Sequence, residues 1–454
     1  MNIPEADRIS HGLPPCAGQG PGLLVLSNGH GEDQIALRVV EALLVRQPQL
    51  HVGILPLVGE GQAYASAEAR GQLVRVGPRQ PLPSGGFSNQ SLRGLGRDLA
   101  AGLMGLSLRQ WRWVRRWGAT GAPILAVGDL LPLAFAWSSG SPFAFIGTPK
   151  SDYTWRTPPP EGWRSGWNPA DAYHRCKGSE WDPWEWGLMA SRRCRLVAVR
   201  DGLTARGLRR HGLRALAPGN PMLDGFALPP PPIWLAGQRP LLLLPGSRVP
   251  EALGNARRLL AAIPLLGTDP HHSGTTITVL LACGREPGRA AWADLLEHQG
   301  WHPDGLDGEA AAIGAVGSWR QGCCRVLLGP GQFSRWAAWG EVGLATAGTA
   351  TEQLVGLGIP ALSLPGPGPQ FKAGFACRQS RLLGGAVLPC RSPAELARRL
   401  SALLRQPEQR RWLGQRGRQR MGRPGGSARL AALLEEHLLR PPQAPAVTQA
   451  ASLG

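Results

Sequence analysis

Four short stretches gather the side chains that could move a proton or hold an anion. The first, Asn28-Gly29-His30-Gly31-Glu32-Asp33, follows an apolar run and opens a helical pattern. Glycines there let the backbone approach a ligand closely, and polar groups after a buried strand face the cleft of an open sheet. His30, Glu32 or Asp33 could act as a base, and Asp33 could equally cap the helix. The second stretch, Val127-Gly128-Asp129-Leu130, ends a strand in a carboxylate that either points into a cleft or caps a helix. The third, Leu241-Leu242-Leu243-Leu244-Pro245-Gly246-Ser247-Arg248, presents Ser247 and Arg248 beyond a buried strand. A forked guanidinium suits a phosphate oxygen, or it pairs with a neighbouring acid such as Glu251. The fourth is Ala345-Thr346-Ala347-Gly348-Thr349-Ala350-Thr351-Glu352, a strand end followed by small residues, hydroxyls and a helix start. Free amides and the positive dipole at such a start attract anions, and Gly348 and Thr349 would admit a diphosphate. Glu352 could receive ribose hydroxyls, although a hydroxyl followed by glutamate is also an ordinary helix opening.

The elements that must position these residues alternate. Short apolar runs bounded by glycine recur at 22–27, 51–55, 73–76, 124–127, 143–146, 195–199 and 215–217. Helical patterns lie between several of them, at 33–46 and 97–117 for example. Strand, helix, strand is the mark of a parallel sheet. Four consecutive prolines at 229–232 interrupt the pattern, since they cannot join a helix or a central strand. Alternation then resumes with strands at 241–244, 276–281, 325–328, 343–346 and 361–364. With 454 residues, two domains are expected. The division reads as a disordered lead-in at 1–20, a first domain at 21–228 and a proline-rich linker at 229–240. A second domain with an arginine-rich helical tail fills 241–440, and a disordered end 441–454. Inside the first domain, 151–187 is a tryptophan-rich insertion whose rings either serve function or pack the loop onto the sheet.

Composition narrows the class. No apolar stretch is long enough for a membrane span, and the first residues do not read as a secretory signal. The eight cysteines form no CxxC pair, which fits scattered thiols in a reducing cytoplasm. Tyr173-His174-Arg175-Cys176 lacks a second ligand pair, so no metal and no cofactor are expected. The net charge of +18, nearly all from arginine, favours anionic partners. No nucleic-acid motif accompanies the charge, so nucleic acid is not expected. On the 97–117 helix, Trp111, Trp113 and Trp117 alternate with Arg109, Arg112, Arg115 and Arg116. That pattern suits a membrane interface, or a helix packed on its sheet with solvated arginines.

The order of the motifs supports a family resemblance. PGSR at 245–248, AGTATEQLVGLGIPAL at 347–362 and APGNPMLD at 217–224 resemble segments of lipid-A-disaccharide synthase. SNGHGED at 27–33 and GPGPQFKAGFACRQSRLLG at 366–384 more closely resemble the lipid-A-disaccharide-synthase-related family of photosynthetic bacteria. The resemblance spans roughly residues 22 to 430. It implies the GT-B architecture, an α/β fold of two Rossmann-like domains facing across a cleft, with the donor on the second. It further implies that Arg248 and Ser247 touch a donor diphosphate, that Gly348, Thr349 and Thr351 cradle it, and that Glu352 holds the ribose. Gln370 would lie near the donor sugar, Asp129 would match an acid needed for activity, and Gly219-Asn220-Pro221 would form the turn at the hinge. The first loop departs from the synthase pattern. Asp33 keeps its place, the glutamate does not, and Gly29-His30 is similar to the Gly-Gly-His loop of the peptidoglycan glycosyltransferase.

The expectation is an inverting hexosyltransferase without a bound metal. A UDP-sugar would be the donor and a lipid or glycolipid the acceptor, with His30, Glu32 or Asp129 as base. Asn28, Gly29, Gly31 and Asp33 would line the acceptor side. The enzyme would be cytoplasmic, with peripheral contact at the inner face of an anionic membrane. A UDP-sugar epimerase of the same fold, or a non-catalytic sugar-nucleotide binder, is the alternative.

Overall fold

The computed structural model describes residues 22–80, 102–163, 168–226, 228–249, 251–267, 270–272, 274–366 and 371–440. The expected disordered ends, Gln370, Trp167 and the start of the 97–117 pattern lie outside them.

Uninterrupted apolar runs of this kind are stable only when both faces of a sheet are covered, and here they form two such sheets. The first contains β1 (Gly22–Ser27), β2 (His51–Pro56), β3 (Val74–Arg75), β4 (Ile124–Gly128), β5 (Phe143–Gly147), β6 (Cys194–Val199) and β7 (Ala215–Leu216). Its order is β3-β2-β1-β4-β5-β6-β7, with every pairing parallel. The second contains β8 (Arg239–Leu244), β9 (Ile277–Cys283), β10 (His302–Asp304), β11 (Gly317–Gln321), β12 (Cys324–Pro330), β13 (Val342–Ala345), β14 (Ala361–Ser363) and β15 (Val387–Pro389). Its order is β10-β11-β12-β9-β8-β13-β14-β15. The pairings β10–β11 and β11–β12 are antiparallel and the rest are parallel. Without that edge addition, the two halves wind alike.

Strand alternation divides each core into two layers. Leu23 and Val25 face one side of the first sheet, while Leu24 and Leu26 face the other. Leu241 and Leu243 oppose Leu242 and Leu244 in the same way. Every strand expected from sequence is present. Strands β10, β11 and β15 were not expected, because the hairpin and the short edge carry too few apolar residues to stand out.

The end of the chain does not stay with the second lobe. The helices Pro393–Arg405 and Pro407–Met421 pack there, but Gly426–Leu434 crosses back. Its Leu430, Ala431 and Leu434, with Leu438, complete the Leu23/Val25 layer of the first lobe. The two crossings touch. Asp224 accepts hydrogen bonds from the amides of Gly425 and Ser427, and a Cβ on Gly426 would lie 2.8 Å from the Asn220 backbone. Glycine is required where two backbones run so close.

Within 151–187, Trp155 and Trp181 are buried, and Trp181 meets Phe145 edge-on at 5.5 Å. Those rings anchor the insertion. The helix Leu103–Gly118 likewise turns Trp113 and Trp117 into the core and leaves only Trp111 of the three exposed. Of the two alternatives for this helix, packing on the sheet accounts for Trp113 and Trp117, and only Trp111 remains on the outer face.

Candidate functional site

Open α/β sheets bind ligands beyond the carboxyl ends of their strands, where strand order reverses. In the first sheet that reversal falls between β1 and β4, and in the second between β8 and β13. All four stretches singled out in the sequence follow one of these strands. Register makes them neighbours: Ser27 pairs with Val127, and Leu244 with Ala345.

On the first lobe, the helix begins at His30 with Gly29 (φ 145°) as its cap residue, earlier than the expected start. Asp33 is consequently not a cap. It is buried in the first turn, where it accepts 2.6 Å from the Ser27 hydroxyl. That hydroxyl lies 2.9 Å from Tyr64 Oη. Burial raises the Asp33 carboxyl to about 7 despite the hydrogen bonds it accepts. Glu32 is also raised to about 7, by burial first, then by the charges of Asp129, Asp33 and Glu352, against a backbone hydrogen bond. Asp129 caps the next helix, accepting from Leu131 N at 3.1 Å, and its same oxygen accepts from Asn28 Nδ2 at 2.6 Å. A side chain at Gly128 (φ 138°) would put its Cβ 1.9 Å from Asn28 Oδ1, so glycine permits this link. Asp129 thus serves the capping role and stands at the cleft.

On the second lobe, Thr346 N donates to Leu244 O at 2.9 Å and Thr346 Oγ1 to Pro245 O at 3.1 Å. The loops carrying Arg248 and Gly348 are tied together at their bases. The helix Thr349–Gly356 starts with no side-chain cap, so its first amides remain available to an anion. Thr351 is fully buried and donates to Ala347 O at 2.6 Å, bracing the loop instead of facing the cleft. Ser247 is exposed beside Gly246 (φ 96°).

The lobes meet across these loops. A Cβ built on Gly31 would lie 3.1 Å from Thr349 Oγ1. His30 is held below its ordinary 6.5, by burial and then by the positive charge of Arg248. Burial also lowers the Arg248 guanidinium, against the pull of Glu251.

Two residues here escaped sequence reasoning. Arg200, buried just beyond β6, joins Glu352 Oε2 at 2.7 Å and donates to Thr148 O at 3.2 Å. Burial depresses its guanidinium, but Glu352, with the charges of Asp201 and Glu180, outweighs that and raises it. The signal was Val199-Arg200-Asp201, a charge after an apolar strand, the same one that marked Asp129. Gln379, on the helix Ala373–Leu382, donates to Ala347 O at 3.3 Å and Gly348 O at 3.2 Å. No spacing rule would have found it.

Chemically, the arrangement sets a histidine and raised carboxyls opposite a cation and an uncapped helix start. Such a cleft can hold an anionic leaving group on one lobe and take a proton on the other.

No family model matches the sequence, and no curated protein matches it. Solved structures match along nearly the whole chain. MnaA of S. aureus, determined with UDP, gives a TM-score of 0.54 at 11% identity, covering 94% of this chain and 99% of that one. MurG of Acinetobacter baumannii gives 0.53 at 14%, covering 92% and 100%. A proposed UDP-N-acetylglucosamine 2-epimerase of Listeria monocytogenes gives 0.53 at 12%, covering 92% and 96%. At such identities the likeness speaks for architecture. The chain has the GT-B fold, two Rossmann-like domains facing across a cleft.

Proposed function

We propose that the protein is a glycosyltransferase that moves a hexosyl group from a UDP-sugar to a hydroxyl acceptor with inversion. The reading rests above all on one observation: the loops carrying Arg248 and the uncapped Thr349 helix start leave adjacent parallel strands and are tied together at their bases. In this reading the donor diphosphate lies between them, with Gly348 and Thr349 closest and Ser247 at the edge. Glu352 keeps one oxygen for the ribose while Arg200 holds the other. His30 takes the acceptor proton, since it opens the helix that follows β1 and burial with the Arg248 charge favours its neutral form. Asp129 steadies Asn28, and Glu32 in its raised state is a proton donor or a second base. The oxygen freed of its proton attacks the anomeric carbon, the bond to the diphosphate breaks, and UDP leaves against Arg248. A site fixed in advance stabilises that charge, and losing one such donor costs about 2.7–4 kcal/mol of barrier. Arg248→Ala should therefore lower turnover about a hundredfold or more, and full activity would remove the diphosphate assignment.

A lipid-linked acceptor is the finer part of the reading. Met104, Leu108 and Trp111 lie exposed along the helix Leu103–Gly118, beside Arg109, Arg112, Arg115 and Arg116. Trp111 Nε1 donates to Ser138 Oγ at 3.1 Å, which brings the exposed Trp137 of the helix Leu130–Ser139 close by. An apolar strip flanked by arginines fits an anionic bilayer surface. Among the described residues no helix is long and apolar enough to cross one. Sedimentation with anionic liposomes at low salt, weakening at high salt, is expected. No binding in either condition removes the membrane part.

An epimerase remains the second reading, favoured by the raised carboxyls Glu32 and Asp33 beside His30, which could exchange protons with a bound sugar. Incubation with UDP-N-acetylglucosamine alone separates the two. An epimer forming without acceptor supports epimerisation, whereas UDP release that requires an acceptor supports transfer.

A further inference from the structure

On the helix Pro407–Met421, Trp412, Gln415, Arg416, Gln419 and Arg420 recur at helical spacing and share one face. Together with Tyr153 of the first lobe they line a concavity of about 420 Å³, a volume that suits a small organic ligand. The opposite face fixes this one in place. A Cβ on Gly414 would lie 2.0 Å from Gly358 O, and one on Gly417 would lie 2.4 Å from Val355 Cγ1. The helix is therefore seated backbone-close on its neighbours and cannot turn.

The lining is cationic and unspent. Arg416 lies over the Trp412 ring at 4.8 Å and Arg420 over the Tyr153 ring at 3.7 Å, so both guanidiniums are held in place. Among the described residues neither forms an ion pair, and Arg420 Nη1 is buried without a hydrogen-bond partner. The Gln415 and Gln419 amides also make no hydrogen bond to the described protein, and the exposed Trp412 adds a flat apolar surface.

We infer that this concavity is a second ligand site, for a phosphate monoester that carries hydroxyl groups, such as a sugar phosphate. The two arginines take the phosphate oxygens, the two carboxamides take hydroxyls, and Trp412 lies against the carbon skeleton. None of the site's lining residues belongs to the Arg248 or Thr349 stretches, and the assignment does not depend on the glycosyltransfer reading. The site joins the two lobes through Tyr153 and α-helical Arg420, and lies one residue from Met421, whose sulfur contacts Arg200 Nη2 at 3.6 Å.

The test is titration calorimetry on the full chain carrying Arg248→Ala, which disables the donor crevice. Glucose 1-phosphate is expected to bind this protein at least about tenfold more tightly than inorganic phosphate does. Adding Arg416→Gln, a half-exposed position, should weaken it about tenfold or more. Gln419→Ala should weaken glucose 1-phosphate and leave inorganic phosphate unchanged. Absence of binding, indifference to both substitutions, or equal binding of phosphate and its sugar ester would each overturn the assignment.

Discussion

His30, Glu32 and Asp33 sit within one helical turn, yet their surroundings drive them in opposite directions. Burial and the Arg248 charge lower the imidazole, while burial and neighbouring acids raise the Glu32 carboxyl to about 7. A base works only when unprotonated, so activity is lost as pH falls through its pKa. With His30 as base, the acid limb of kcat/KM should lie below 6.5 and vanish with His30→Gln. A limb near 7 that moves with Glu32→Gln would transfer the role to Glu32. These residues stood out as candidates in sequence because they follow an apolar run and open a helical pattern. Their states did not. Nothing in Asn28-Gly29-His30-Gly31-Glu32-Asp33 says that Ser27 would bond Asp33, or that Arg248, about two hundred residues away, would add to burial in lowering His30.

At the scale of elements, the tryptophan-rich insertion acts as a clasp between the lobes. Arg381 of the helix Ala373–Leu382 holds Asp171 through two nitrogens at 3.0 and 2.8 Å and donates to Trp155 O and Thr157 O. Arg378 of the same helix pairs with Glu180, and Trp163 Nε1 donates to Pro389 O at 3.1 Å. Between those arginines Gln379 holds the carbonyls of the Gly348 loop, so one helix links clasp and crevice. Arg381 is buried, and removing one partner of a buried pair costs about 3–5 kcal/mol. Arg381→Ala should lower the urea midpoint accordingly and weaken nucleotide binding. An unchanged midpoint would mean that the clasp bears no stability. Strand periodicity made the two sheets readable from sequence, since apolar runs and glycine breaks depend only on local neighbours. The clasp depended on pairs 198 to 226 residues apart, and the insertion's composition hid it.

For the whole molecule, the chain passes from the first lobe to the second at 219–236 and returns at 422–426, with the two crossings in contact. The return explains why the final helix, arginine-rich segment and all, could not be assigned from sequence order. Leu430 and Leu434 look like any amphipathic stripe until the layer they fill is seen. This double crossing keeps the crevices at the β1/β4 and β8/β13 reversals facing one another, and the functional account depends on that facing. A crystal structure with UDP bound tests it most directly. The account predicts a diphosphate within hydrogen-bond reach of Arg248 and the amides at the start of the Thr349 helix, with the open side toward His30. UDP seated elsewhere, or a diphosphate out of reach of Arg248, would contradict it.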